Sequence, residues 1–145
     1  MAKKARFLTT SASLVTRPGA GVVEVFHGRS EILAADPRHR GRWPAVVARA
    51  IAPLGELAEL ALPLLAPGGV LVAWKRTSIE AELETALPSL ARLGGGRPIL
   101  IPTTVAGLED HLLVLVEKVG PTPRADARPA ARRPRRPPGE RLPSP

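Results

Sequence analysis

Residues 44 to 76, PAVVARAIAPLGELAELALPLLAPGGVLVAWKR, decide the fold. Val46 and Val47 are β-branched and open a strand that Arg49 closes. Leu54, Leu57, Leu60, Ala61 and Leu64 then recur at helical spacing, with Glu56 and Glu59 on the wet side. Pro53 suits the first turn of that helix, where a missing N–H costs nothing. Pro67-Gly68-Gly69 is predicted to end the helix, and Val70 to Trp74 runs as an apolar strand closed by Lys75. A helical run of about a dozen residues between two such strands is the length a parallel crossover needs. In an open α/β sheet ligands bind outside the carboxyl ends of the strands, so Arg49 and Lys75 mark a working edge.

Working outward, residues 3 to 16 read as a helix, with Phe7, Leu8, Leu14 and Val15 on about one face, and Arg17-Pro18-Gly19 stops it. Val22 to Phe26 reads as a short strand and Ser30 to Ala35 as a helical turn ended by Asp36-Pro37. On the other side, residues 78 to 93 form an amphipathic helix whose start is signalled by Ser78 with Glu80 and Glu82. Pro88 is predicted to kink or split it, and Gly94-Gly95-Gly96 to end it. Pro98 to Pro102 and Leu112 to Lys118 follow as two strands with no helix between them, which predicts an antiparallel hairpin closing the sheet edge.

The totals fit this picture. A chain of 145 residues suits one ordinary domain. With 44% apolar but only 3% aromatic residues, the core must be built from Ala, Leu and Val, as in helices packed on a sheet. There is no cysteine, which excludes disulfides, thiolate metal sites and a Cys nucleophile. His27, His39 and His111 lack metal-ligand spacing, so no metal is expected. No apolar run approaches the roughly 20 residues that span a bilayer, and MAKKARFLTT lacks the apolar core of a signal peptide; a cytoplasmic protein is expected.

The net charge of +8 is uneven. Residues 121 to 145 hold eight prolines and seven arginines against Asp126 and Glu140, a net of +5. This segment has no apolar periodicity and is predicted to be disordered. It could tether RNA phosphates, or be an unselected Arg/Pro-rich extension. The loop DPRHRGRWP (36 to 44) carries three arginines and a tryptophan. It is either an RNA-facing patch with one stacking aromatic, or a solvated loop whose Trp43 plugs the mouth of the core.

The runs GRSEIL (28 to 33), VVARAIAPLGELAELALPLLAPGGVLVAWK (46 to 75) and GLEDHLLVLVEKVGPTP (107 to 123) together resemble the 16S rRNA guanine-N7 methyltransferases, the GidB or RsmG family. The resemblance covers residues 3 to about 124 and rests on several linked motifs in the right order. It implies an α/β fold: part of a class I, Rossmann-like, S-adenosylmethionine-dependent methyltransferase sheet over residues 1–120, then the disordered basic tail. It also implies S-adenosyl-L-methionine as methyl donor and 16S rRNA in the small ribosomal subunit as partner, with no membrane. Carried over residue by residue, Ser30 and Glu31 match the pair beside the cofactor's adenine. Arg49 matches the cofactor-side arginine, and Lys75 the lysine at the RNA-facing rim. On residue type alone, Ser30-Glu31 is a helix start, Arg49 a structural partner for Glu31 or another carboxylate, and Lys75 a solvated strand end. No catalytic base is expected, because guanine N7 already carries an exposed lone pair.

Four features depart from the family pattern. The glycine-rich cofactor loop and the following strand ending in an acidic residue have no counterpart; Gly19-Ala20-Gly21 precedes a strand and cannot replace the loop. Asp110 stands where the family has Arg, Arg76 replaces the glycine after the lysine, and the tail differs. The isolated chain is therefore expected not to bind the cofactor, unless an amino-terminal half is supplied by another chain. Two further readings stand beside this one: a noncatalytic RNA-associated protein using the basic tail and loop, or an inert remnant.

Overall fold

The computed structural model describes residues 2–15 and 21–123. Its elements are α1 (Ala2–Val15), α2 (Ser30–Ala35), β1 (Trp43–Arg49), α3 (Leu54–Ala61), β2 (Leu65–Arg76), α4 (Glu80–Arg92), β3 (Ile99–Pro102) and β4 (His111–Glu117). The four strands form one mixed α/β sheet in the order β1-β2-β4-β3. β1 and β2 run parallel around α3, and β4 is antiparallel to both β2 and β3. The parallel unit and the closing hairpin are those expected from the sequence.

α3 and α4 cover one face of the sheet. Leu54, Leu57, Ala58 and Ala61 of α3 and Ala86 and Leu90 of α4 are all at most 4% exposed. They meet Ala48, Leu71, Ala73, Leu112, Val114 and Val116 from the strands, the alternate residues that point to one side. The residues between them point the other way, and there Val47, Ile99 and Ile101 are exposed. A sheet wound on both faces would bury that side too.

Several expectations are corrected. Val22 to Phe26 is not a strand; it runs irregular and largely exposed, because no neighbour offers it a ladder and β1 pairs only with β2 among the described residues. Pro67-Gly68-Gly69 does not end α3, which stops before Leu62-Pro63; it lies inside β2, where the register with β1 shifts. Gly69 is required there, since a Cβ would come within 2.9 Å of the Trp43 carbonyl oxygen. Pro53 sits at the N-cap of α3 rather than in its first turn. Pro88 neither splits nor ends α4, because Ala86 and Leu90 on either side are anchored in the core. Ser78 is no cap; the N-cap is Ile79, without a side-chain bond, and Glu82 is used elsewhere.

Gly94-Gly95-Gly96 ends α4 as expected, through a Schellman turn. Gly94 has φ +78 and donates to Ala91 O, while Gly95 donates to Leu90 O. The tail expected from residue 121 lies, beyond residue 123, outside the described residues.

Candidate functional site

Arg49 and Lys75 end neighbouring parallel strands, but on opposite faces. Arg49 is paired in register with Trp74, and Ala48 with Ala73. Ala48 and Ala73 point into the core, so Arg49 and Trp74 point to the open face and Lys75 points back towards the helices. The sequence placed both cations on one edge; the pleat separates them.

On the helix side, Lys75 Nζ donates to Ala52 O at 2.7 Å and to Glu82 Oε1 at 2.5 Å. The same Glu82 oxygen accepts the Leu54 N–H, a donor at the start of α3 that has no intrahelical partner. One carboxylate thus joins β2, α3 and α4. Lys75 is only 14% exposed and its ammonium is engaged inside the fold, not free at a rim. In the sequence Glu82 reads as part of a helix start, and its contact with Lys75 across the β2–α4 connection has no local signal.

On the open side, the Arg49 guanidinium lies over the Trp74 ring, 5.4 Å from its centroid. It makes no ion pair with Glu31. Trp74 meets His111 edge-on at 6.3 Å, and its indole Nε1 is buried with no hydrogen-bond partner among the described residues. Asp110 Oδ2 pairs with Arg76 Nη1 at 2.8 Å, and Asp110 Oδ1 lies 2.6 Å from His111 Nδ1. Immediately after Arg49, Ala50 adopts φ 50, a left-handed conformation rare for a residue with a Cβ and typical of functional turns. Trp74 and His111 were not singled out by sequence, because only the strand register places them beside Arg49.

Ser30 and Glu31 begin α2, where Ser30 Oγ donates to Glu31 Oε2 at 3.3 Å without capping the helix. A groove of about 380 Å³ between α3 and α4 is lined by Glu56, Glu59 and Glu82, on the side of the sheet away from Arg49. No group of three metal-ligating side chains occurs among the described residues.

At the opposite, amino edge of the sheet, Trp43 is 44% exposed rather than plugging the core, and stacks parallel on His39 with ring centroids 5.9 Å apart. Lys118, almost fully buried, donates to Leu93 O and Thr122 Oγ1. Burial pushes its pKa down to about 8, and the charge of Arg40 adds to the effect.

The arrangement can present a cation and an aromatic face at the carboxyl edge. It does not by itself make a pocket for S-adenosylmethionine. No glycine-rich turn follows a described strand, and the one described strand that ends in a carboxylate, β4 at Glu117, places it beside Val70 at the amino edge, away from Arg49, while β1, the strand next to which such parts would lie, has an unpaired side among the described residues.

No family model matches the chain. Curated relatives do. "Ribosomal RNA small subunit methyltransferase G" of Dehalococcoides mccartyi is 38% identical over 122 residues, 83% of this chain and 51% of that protein. The protein of the same name in Roseiflexus castenholzii is 38% identical over 85% of this chain and 51% of its own length. That of Deinococcus deserti is 41% identical over 83% and 49%. The chain therefore spans about half the length of the curated relatives it matches. Among solved structures, CurJ carbon methyltransferase aligns with a TM-score of 0.42 and 17% identity, covering 61% of this chain and 34% of that one; nothing below rests on it.

Proposed function

We infer, starting from the chain's membership by sequence in the GidB/RsmG family of small-subunit rRNA methyltransferases, that it is the part of such an enzyme that faces the methyl donor from one side. The reaction is transfer of a methyl group from S-adenosylmethionine to N7 of a guanine in 16S rRNA, within the small ribosomal subunit and in the cytoplasm. Residues 1–120 are the partial methyltransferase domain and residues 121–145 a basic extension. The observation that carries this reading is Arg49: the family's Arg-Ala motif ends a parallel strand, and the following Ala50 is held at φ 50.

The proposed roles draw on the geometry and on the resemblance together. Arg49, braced on Trp74, supplies positive charge at the carboxyl edge. Ser30 and Glu31 are assigned beside the adenine by resemblance. Lys75 reaches the rim only by leaving Glu82, so its first role is to position the start of α3. Guanine N7 needs no proton removed, so the residues need only orient the reactants and shape the local field. The glycine-rich loop and ribose-binding carboxylate must come from residues beyond those described, including another chain.

The test is transfer of labelled methyl to small subunits isolated without this modification. The chain mixed with the glycine-rich half of a full-length relative is expected to methylate one guanine at N7, and either part alone to be inactive. Absence of transfer by every mixture tried, with both parts shown to associate, would overturn the reading.

A further inference from the structure

We propose that the free side of β1 is a self-association surface, at which two copies of this chain pair β1 with β1, antiparallel, about a two-fold axis through Val46. The two four-stranded sheets then join into one continuous sheet. The pairing is argued from strand geometry and does not rest on the methyltransferase reading.

The two outer strands of the sheet are built differently. β3 is four residues long, ends in Pro102 and follows Pro98, so its edge is short and poor in donors. β1 runs for seven residues, WPAVVAR, and among the described residues it pairs only with β2. Its one proline, Pro44, and its one charge, Arg49, lie near opposite ends. Ala45 to Ala48, between them, carry none of the charges that keep a second strand away from an open edge. Val47, in the middle of this run, is 75% exposed.

Read against a reversed copy of itself, β1 is complementary. A two-fold contact requires each residue to meet a suitable one on the other copy. With Val46 on the axis, Val47 faces Ala45 of the second copy and Arg49 faces its Trp43, and each contact occurs twice. Trp43, Ala45, Val47 and Arg49 alternate along the strand, so all four share the open face of the sheet. The Arg49 guanidinium lies over Trp74 of its own chain at 5.4 Å, and the pairing brings it a second indole, which His39 backs in a parallel stack. The two arginines sit at opposite ends of the paired strands, about 20 Å apart, so they do not repel at close range. Moving the axis by one residue in either direction loses both Arg–Trp contacts, which fixes the register.

Sedimentation equilibrium of the full chain is expected to give a mass approaching twice its 15.3 kDa, with a dissociation constant on the order of 10 µM, since paired single strands make a small interface. Ala45→Lys combined with Val47→Lys sets lysines opposite one another across the axis and is expected to give a monomer. Both positions are exposed, so the far-UV circular dichroism of that variant should match the wild type. The register has its own test, because the chain has no cysteine. A mixture of Ala45→Cys and Val47→Cys chains is expected to form the mixed disulfide at least about fivefold faster than either variant forms one with itself, because positions 45 and 47 lie directly opposite while like positions are diagonal. A wild-type monomer at about 200 µM, a dimer in the double-lysine variant, or equal disulfide rates in the mixture and the single variants would each overturn the proposal. These readouts need neither cofactor nor RNA, so they stand or fall separately from methyl transfer.

Discussion

Arg76 and Asp110, the two residues that depart from the family pattern beside the site, are partners. Arg76 Nη1 lies 2.8 Å from Asp110 Oδ2, across the ends of β2 and β4, where Arg76 is in register with His111. Where the resembled pattern has a glycine and an arginine, this chain has an arginine and an aspartate that face each other. The two charges cancel, so this pair leaves no net charge at the edge. Both side chains are more than half exposed, so the pair is worth at most about 1 kcal/mol. Asp110→Arg is expected to cost about that much by setting two arginines together, and Arg76→Gly with Asp110→Arg to recover most of it. Urea denaturation of the two single variants and the double variant measures the coupling; additive losses would show that the residues act independently.

Glu82 carries more. Removing it leaves Lys75 and the Leu54 N–H without their shared acceptor in a half-buried place. Glu82→Ala is expected to destabilise the chain by about 2 kcal/mol, several times the effect of Arg76→Ala. Equal midpoints in urea for these two variants would contradict the role assigned to Glu82.

Lys118 makes stability depend on pH. Its folded pKa of about 8 lies below the ordinary value of 10.5, so the unfolded chain binds the proton more tightly. Between about pH 8 and pH 10.5 the unfolded state therefore holds more protons, and stability rises with pH across that window. Below about pH 8 both states are protonated and this contribution is flat. Thermal unfolding from pH 7 to 10 should show the rise, and Lys118→Met should remove it.

Gly94 closes α4 and touches the irregular segment that follows β4. At φ +78 a side chain is strained, and a Cβ would overlap the Gly120 carbonyl. Gly94→Ala is expected to cost more than about 2 kcal/mol, read from the urea midpoint, against about 1 kcal/mol for Gly107→Ala, which shares the φ strain but has open surroundings. Similar losses at the two glycines would mean that backbone strain alone, and not the Gly120 contact, sets the cost.

The parallel unit and the hairpin were legible because helical spacing in Leu54–Ala61 and the apolar run Val70–Trp74 are local signals. Val22–Phe26 differs from its reading because an apolar run has strand propensity, but a strand needs a neighbour, and none pairs with it among the described residues. Pro67-Gly68-Gly69 misled because the signature of a helix stop also serves a strand that bends close to another backbone. At the site, composition and order pointed to Arg49 and Lys75, yet the face each occupies depends on the parity of the β1–β2 register. The pairings of Lys75 with Glu82 and of Arg49 with Trp74 are tertiary, and nothing in the local sequence announces them.

Arg49 is proposed to face a methyl-donor site that the described residues only half build. Calorimetric titration of S-adenosylmethionine tests it most directly. The chain alone is expected to give no binding heat, the chain with the glycine-rich half of a relative to bind, and Arg49→Ala to lose at least about tenfold in affinity in that mixture. Micromolar binding by the chain alone, or a mixture indifferent to Arg49→Ala, would contradict the account.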